Sequence, residues 1–189
     1  MQQGRQNQNR NRQHQQGRLN HLNQMDADAA GDVVEGKILI CEVEAKVLFD
    51  PGSTHSFVSP TFAQLICVPA RELDYILTVA TPVGKQVVCS TFFPSRSVRI
   101  GGVIFPADLI ILMMHDFDVI LGMDWLAGHH ASMDCFSKSI TFRLDEISSG
   151  VRFQGEKRIS PARFISALSA AKLLRTGCEG FLAFVSKDE

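Results

Sequence analysis

The sequence predicts an all-β fold over residues 32–156, a small barrel or sandwich with two or three very short helices, followed by one separate helix near the C-terminus. Three observations lead there. From residue 32 onward the apolar residues come in short runs, rich in branched side chains and partly alternating, which suits strands rather than helices. The runs are divided by turn residues such as Pro82–Val83–Gly84 and Gly101–Gly102. Sustained helical spacing is confined to "SPARFISALSAAKLLRTG" (160–177).

The elements follow in order. "KILICEVEAKVLFD" (37–50) reads as a hairpin whose second strand ends at Asp50. "SPTFAQLI" (59–66) reads as one or two helical turns, with Ser59 as N-cap and Pro60 as the first helical residue. "YILTVATPVGKQVVCSTFF" (75–93) is two strands around a Pro–Val–Gly turn, and "SVRIGGVIFPADLIIL" (97–112) two more around Gly101–Gly102. "FDVILGMDWLAG" (117–128) is a buried strand running into a short helix that stops at Gly128. "ASMDCFSKSITFRL" (131–144) and "GVRFQGE" (150–156) supply the last strands. In the C-terminal piece (157–189), a helix over 160–176 has Ser160 as N-cap, Pro161 at its first position and Gly177 as its stop.

Residues 1–31, "MQQGRQNQNRNRQHQQGRLNHLNQMDADAAG", are polar and of low complexity, so disorder is expected. Arg5, Arg10, Arg12 and Arg18 precede any acid, and weak contact of residues 1–25 with nucleic-acid phosphate is one expectation. A solvated basic linker is the plainer one, since no aromatic residue is interleaved for base stacking. The whole chain, 189 residues with 45% hydrophobic and 21% charged residues and a net charge of −1, suits one globular domain with tails and favours no polyanionic partner. Its five cysteines are widely spaced without a CxxC, so they read as small apolar residues in a reducing compartment rather than a disulfide or zinc framework. The N-terminus lacks the apolar stretch of a secretory signal. The most apolar segment, "VIFPADLIILMM" (103–114), is interrupted by Pro106 and Asp108 and falls short of the about 20 residues a bilayer span needs, so a soluble chain without membrane contact is expected.

Two stretches could carry chemistry. In "VLFDPGSTHSFVS" (47–59), Asp50 ends an apolar run and Gly52 follows with a hydroxyl cluster. A carboxylate held so by backbone N–H groups can face a cleft, but an Asx-type turn after a strand has the same appearance. In "DVILGMDWL" (118–126), Gly122 on a buried strand lets another backbone approach closely, and Asp124 opens a helix. Alone, this too is a plain core strand and cap.

Together the two stretches say more. An apolar pair followed by Asp–x–Gly, then Ile–Leu–Gly–x–Asp about seventy residues on, resembles the internal signature of an aspartic protease lobe. With "TVATPVGKQV", "FPADLIIL" and "MDCFSKSITFR" in order, residues 32–156 resemble the retropepsin-like aspartic protease domain of gypsy-type LTR retrotransposon Gag-Pol polyproteins. "RISPARFISALSAAKLLRTGCEGFLAFV" looks like the connector toward a reverse transcriptase, and the basic N-terminal stretch like the linker after a Gag zinc knuckle, although no Cys/His knuckle is present.

The resemblance implies a small β-barrel lobe that forms a homodimer, with Asp50 as the one catalytic residue per chain and no cofactor. Two Asp50 carboxylates would share a proton and activate a water against a peptide carbonyl; the aspartic-protease dyad is itself the standard example of this coupling. Phe49, Pro51, Gly52 and Ser53 would form the active-site loop, with the Gly52 N–H turned to the carboxylate. Thr81, Pro82, Val83, Gly84 and Lys85 would be the flap that closes over substrate. Ile120, Leu121 and Gly122 would pack under the loop, and Asp124 would hold the next helix. The substrate implied is the chain's own polyprotein, in a cytoplasmic or virus-like-particle setting.

Pro51 departs from the family, which has Ser or Thr there. Proline removes the hydroxyl and N–H that link the two loops across the dimer, each such bond being worth about 0.5–1.5 kcal/mol, so a weaker dimer is expected. The alternative function is a catalytically inactive retrotransposon remnant, acting as a dimerisation or peptide-binding module. His115, Asp116, Asp118, His129 and His130 match no standard zinc spacing and read as surface turns, so no metal is expected. His55 has no part in aspartic chemistry and reads as a loop hydrogen-bonding residue.

Overall fold

The computed structural model describes residues 13–21, 32–82, 84–144, 147–156 and 175. The connector and its helix over 160–176 lie outside the described residues, apart from Arg175, which is helical.

The described strands are β1 (His14–Arg18), β2 (Val34–Ile40), β3 (Val43–Phe49), β4 (Phe57–Val58), β5 (Arg71–Ala80), β6 (Gln86–Ile100), β7 (Val103–Ile111), β8 (Val119–Leu121), β9 (Ala131–Asp134), β10 (Ser139–Leu144) and β11 (Ile147–Gln154). Two short helices, α1 (Pro60–Ala63) and α2 (Met123–Gly128), interrupt them. In the larger sheet, the order β6–β2–β3–β8–β4–β7 is closed by pairing of β7 back onto β6, giving a six-stranded barrel. Closure removes free edges within the ring. β5 pairs with the outer half of β6 as a projecting hairpin, β1 adds parallel to β5, and β9, β10 and β11 form a separate three-stranded sheet.

Tight hairpins set the registers. Cys41 and Glu42 join β2 to β3 with φ of 49° and 65°, and Gly101 and Gly102 join β6 to β7 with φ of 57° and 83°. Left-handed residues at both central positions match the twist of the strands they connect. At α1 the Ser59 hydroxyl accepts from the Phe62 N–H at 3.1 Å, so the expected N-cap and the Pro60 start are both present.

Strands β3 and β8 are apolar at successive positions because both of their faces are covered. Val47, Phe49, Val119 and Leu121 enter one cluster with Val34, Phe105, Trp125 and Phe142. Leu48 and Ile120, pointing the other way, enter a second with Phe57, Leu77, Val79 and Leu19. Strands buried on both faces lose the alternation of a half-exposed strand, which is why "VLF" and "VIL" read as continuous apolar runs.

Two expectations are corrected. The runs 86–93 and 97–100 are not separate strands but one, β6. The break near Pro94 is a local irregularity: the register with β7 shifts between Phe93 and Arg96, Ser95 takes φ 53°, and its N–H donates to Asp108 Oδ1 at 2.7 Å. A proline without an N–H is tolerated at such a bulge. The disorder expected over residues 1–31 does not hold for residues 13–21, which contain β1. The side chains give little sign of it, since only Gly17 is buried within the strand. Main-chain pairing with β5 and the burial of Leu19 just beyond it make the strand.

Gly122 lies where β8 leaves the barrel beneath the 50–56 loop, and a Cβ there would collide with His55 O and lie 2.9 Å from Ser53 O. Gly122→Ala is expected to destabilise the domain by about 3 kcal/mol, as overpacking against backbone does. Gly128, with nothing near its Cβ position, accepts alanine with no loss. Urea unfolding midpoints of the two variants check the contrast.

Candidate active site

Asp50 follows β3 directly, and its N–H donates to Leu121 O at 3.0 Å, continuing the parallel pairing of β3 with β8 by one step. The chain then turns: Ser53 N–H donates to Asp50 O at 3.1 Å, with Pro51 and Gly52 at the two central positions. Proline suits the first of these, since its fixed φ matches the turn and the N–H it lacks is not used there. The Gly52 N–H turns inward to the carboxylate and donates to Asp50 Oδ1 at 2.8 Å. The loop residues Phe49, Pro51, Gly52 and Ser53 are therefore brought round one carboxylate, which is fully buried in the single chain.

Behind the turn, the loop is tied to β8 and α2. Ser56 is fully buried, and its hydroxyl donates to Asp124 Oδ1 at 2.7 Å while accepting from the Gly122 N–H at 3.0 Å. The Ser56 N–H donates to Asp124 Oδ2 at 3.0 Å, the Trp125 N–H to Asp124 Oδ1 at 2.8 Å, and the Met123 N–H to Ser53 O at 2.8 Å. Asp124 thus clamps the end of the 50–56 loop to the first turn of α2, whose N-cap is Gly122 without a side-chain cap. Ile120 and Leu121 lie in β8 beneath the loop, one in each apolar cluster.

The hairpin tip expected as the flap joins β5 to β6. Thr81 N–H and Oγ1 both donate to Lys85 O at 2.9 Å, and Gly84 N–H donates to Thr81 O at 2.9 Å with φ 75°. Pro82 and Lys85 are exposed, and Val83 lies outside the described residues.

Several residues at the candidate site were not singled out for it from the sequence. Arg18, Leu19, Asn20 and His21 run past the 50–56 loop. Arg18 N–H donates to Thr54 Oγ1 at 2.9 Å, and Thr54 N–H donates to Arg18 O at 3.0 Å. His21 Nδ1 lies 3.0 Å from Asp50 Oδ2, with both side chains buried. A histidine in a polar run has no periodicity or spacing to mark it, so only the tertiary pairing finds it. Ser56 did carry a signal, as the last hydroxyl of the cluster after Asp50.

The remaining candidates are dispersed. His55 Nδ1 shares a 2.8 Å hydrogen bond with Thr54 Oγ1. Asp118 Oδ2 accepts from Lys46 N–H at 2.8 Å, and His129 Nε2 bonds Pro106 O at 2.9 Å. No group of three or more metal-ligating side chains forms among the described residues. A cleft of about 460 Å³ opens beside His55 and Asp124, between β5 and β7, and Asp50 is not among its walls. Within it, burial pushes the Tyr75 hydroxyl pKa up, with Asp108 and Asp124 adding to the effect. Burial likewise pushes the Cys89 thiol up to about 11, leaving it unreactive. No described helix is long and apolar enough to cross a membrane.

The Ser56 hydroxyl can be tested directly. Ser56→Ala leaves the Gly122 N–H and an Asp124 oxygen short of a partner, and a loss of about 1–3 kcal/mol in unfolding free energy is expected. Ser56→Thr, which keeps the hydroxyl, should recover part of it in the same denaturation series.

A carboxylate with a glycine N–H behind it can accept a proton from water, but a single carboxylate cannot also supply the acid that polarises a carbonyl. Among curated proteins, none matches the chain. Similar solved structures include these two. The retroviral protease-like domain of Ddi1 from Leishmania major is 22% identical, covering 63% of this chain and 91% of its own, with a TM-score of 0.47. The EIAV protease complexed with the inhibitor HBY-793 is 21% identical, covering 53% of this chain and 90% of its own, with a TM-score of 0.43. A family model described as retroviral aspartyl protease matches residues 13–147, a span that takes in Asp50, its loop, the β5–β6 hairpin and Gly122, and the chain belongs to that family.

Proposed function

We propose that this chain is an aspartic endopeptidase acting as a homodimer, with one Asp50 from each copy, and that it processes the polyprotein of a gypsy-type LTR retrotransposon. The observation that supports it most is the Asp50–Gly52 turn. One carboxylate, held by one glycine N–H, stands at the end of a barrel strand in a family of aspartic proteases. One barrel with one Asp–x–Gly supplies half of the acid–base pair, so a second copy is the natural source of the other half.

In the dimer the two carboxylates would lie too close to ionise together, so one proton is shared between them; the aspartic-protease dyad is itself the standard case. The ionised partner takes a proton from water as it attacks the scissile carbonyl. The protonated partner donates its proton to the developing oxyanion, giving a gem-diol; the proton taken from water then passes to the amine nitrogen as the C–N bond breaks, and the gem-diol returns a proton to the other carboxylate as the carbonyl re-forms. Gly52 N–H keeps Oδ1 in place throughout. Thr81, Pro82, Val83, Gly84 and Lys85 serve as the flap, closing on the substrate backbone and excluding water. Ile120, Leu121, Gly122 and Asp124 hold the loop from behind. The setting proposed is cytoplasmic, within the polyprotein or its particle, with residues 1–25 making weak phosphate contacts.

Pro51 also supports a second reading, a peptide-binding or dimerisation module without chemistry, because it withholds the donors that would join the two loops. Asp50 separates the readings. Cleavage of a denatured protein at acidic pH, blocked by a statine-type inhibitor, should fall about 100-fold or more in Asp50→Asn. Peptide binding without cleavage in either chain would favour the module. Pro51→Ser should act in opposite directions on two measurements. Chain stability by urea unfolding should drop by about 0.4–1 kcal/mol, because a proline suited to its turn is lost. Dimer affinity by sedimentation should rise by about fivefold for each restored hydrogen bond.

A further inference from the structure

We infer that residues Gly17–His21 are a built-in plug of the peptide-binding cleft, an internal competitor that must leave before an extended polypeptide can reach Asp50. The inference rests on the protease reading for the identity of the cleft, while the contacts that make the plug stand independently of it. The segment runs extended between the projecting hairpin and the active-site loop and is bonded to both. On one side β1 pairs in parallel register with β5 from His14↔Ile76 to Arg18↔Ala80, and Leu19 N–H continues the pairing to Ala80 O at 2.9 Å. On the other side Arg18 exchanges bonds with Thr54, the Arg18 N–H donating to Thr54 Oγ1 at 2.9 Å and the Thr54 N–H donating to Arg18 O at 3.0 Å. Main-chain bonds along an extended segment, with alternate side chains in pockets, are the mode by which proteins bind peptides as added strands.

The side chains complete the seal. Leu19, 1% exposed, fills the second apolar cluster among Leu48, Phe57, Leu77 and Ile120. Gly17 approaches the loop so closely that a Cβ would lie 3.2 Å from His55 Nδ1 and 3.4 Å from Thr54 Oγ1. Asn20 covers Gly52, where an added Cβ would collide with its amide. His21 Nδ1 stands 3.0 Å from Asp50 Oδ2, and the carboxylate is 0% exposed. The group facing the carboxylate is an imidazole rather than a peptide carbonyl, so the segment occupies the cleft as an inhibitor and not as a substrate set for cleavage.

An occupied cleft lowers apparent affinity by the fraction of chains in which it is open. The probe is a fluorescently labelled, statine-containing hexapeptide with apolar side chains, titrated into the full-length chain. Leu19→Asp, which expels the segment from the apolar cluster, and Gly17→Val, which crowds it off the loop, should each bind the probe about tenfold or more tightly than the parent. Amide hydrogen exchange on the parent needs no variant. Leu19 and Thr54 N–H groups should be protected in the free chain and lose protection at Leu19 when the probe saturates. Leu19 remaining protected with probe bound, or no gain in affinity in either folded variant, overturns the inference. Variants that bind the probe tightly yet do not cleave a denatured protein would leave the plug standing and remove the protease reading.

Discussion

The structure depends on one close passage of backbone against backbone. β8 runs between β3 and β4, pairing parallel to one and antiparallel to the other, and leaves the barrel through the loop that joins them. At the exit, Gly122 lies against His55 O and Ser53 O with no room for a Cβ. Because the passage is so tight, the N–H of Gly122 meets the Ser56 hydroxyl, that hydroxyl meets Asp124, and the loop is tied at its far end to α2. Asp50, at the near end, is tied to β8 by its own N–H. A loop held at both ends by buried hydrogen bonds keeps its carboxylate in one position, which is what an acid–base group requires. The position of the Asp50 carboxylate thus rests on a glycine about seventy residues away.

Pro51 belongs to the same loop and carries two consequences that oppose each other. Within the chain it occupies a turn position that suits a fixed φ and uses no N–H, so the turn around Asp50 is better ordered by it. Toward a second copy, in the proposed dimer, it offers neither hydroxyl nor N–H. In that proposed dimer the residue would trade a bond between chains for order within one.

That N-terminal strand changes how the domain is bounded. The second apolar cluster lies on the outer face of β3 and β8, roofed by β5, and Leu19 contributes to it from outside the sequence range expected to fold. β1 is held by main-chain bonds, which polar residues make as well as apolar ones, so composition gives no warning of it. The same contacts bring His21 onto the carboxylate and bury both.

The features legible in the sequence were local. Short apolar runs and glycine turns define the strands, Ser59–Pro60 the first helix, and Asp–x–Gly with Ile–Leu–Gly the two segments that meet at the candidate site, because turn geometry, capping and close approach each demand particular residues at particular spacings. The small barrel was expected, but the order in which its six strands pair was not legible, since that order depends on contacts far apart in the chain. The continuity of β6 through Pro94 was hidden because a bulge and a loop share the same residues. The roles of Ser56, Leu19 and His21 came only with the tertiary structure, because each acts on a partner about thirty residues or more away in the chain.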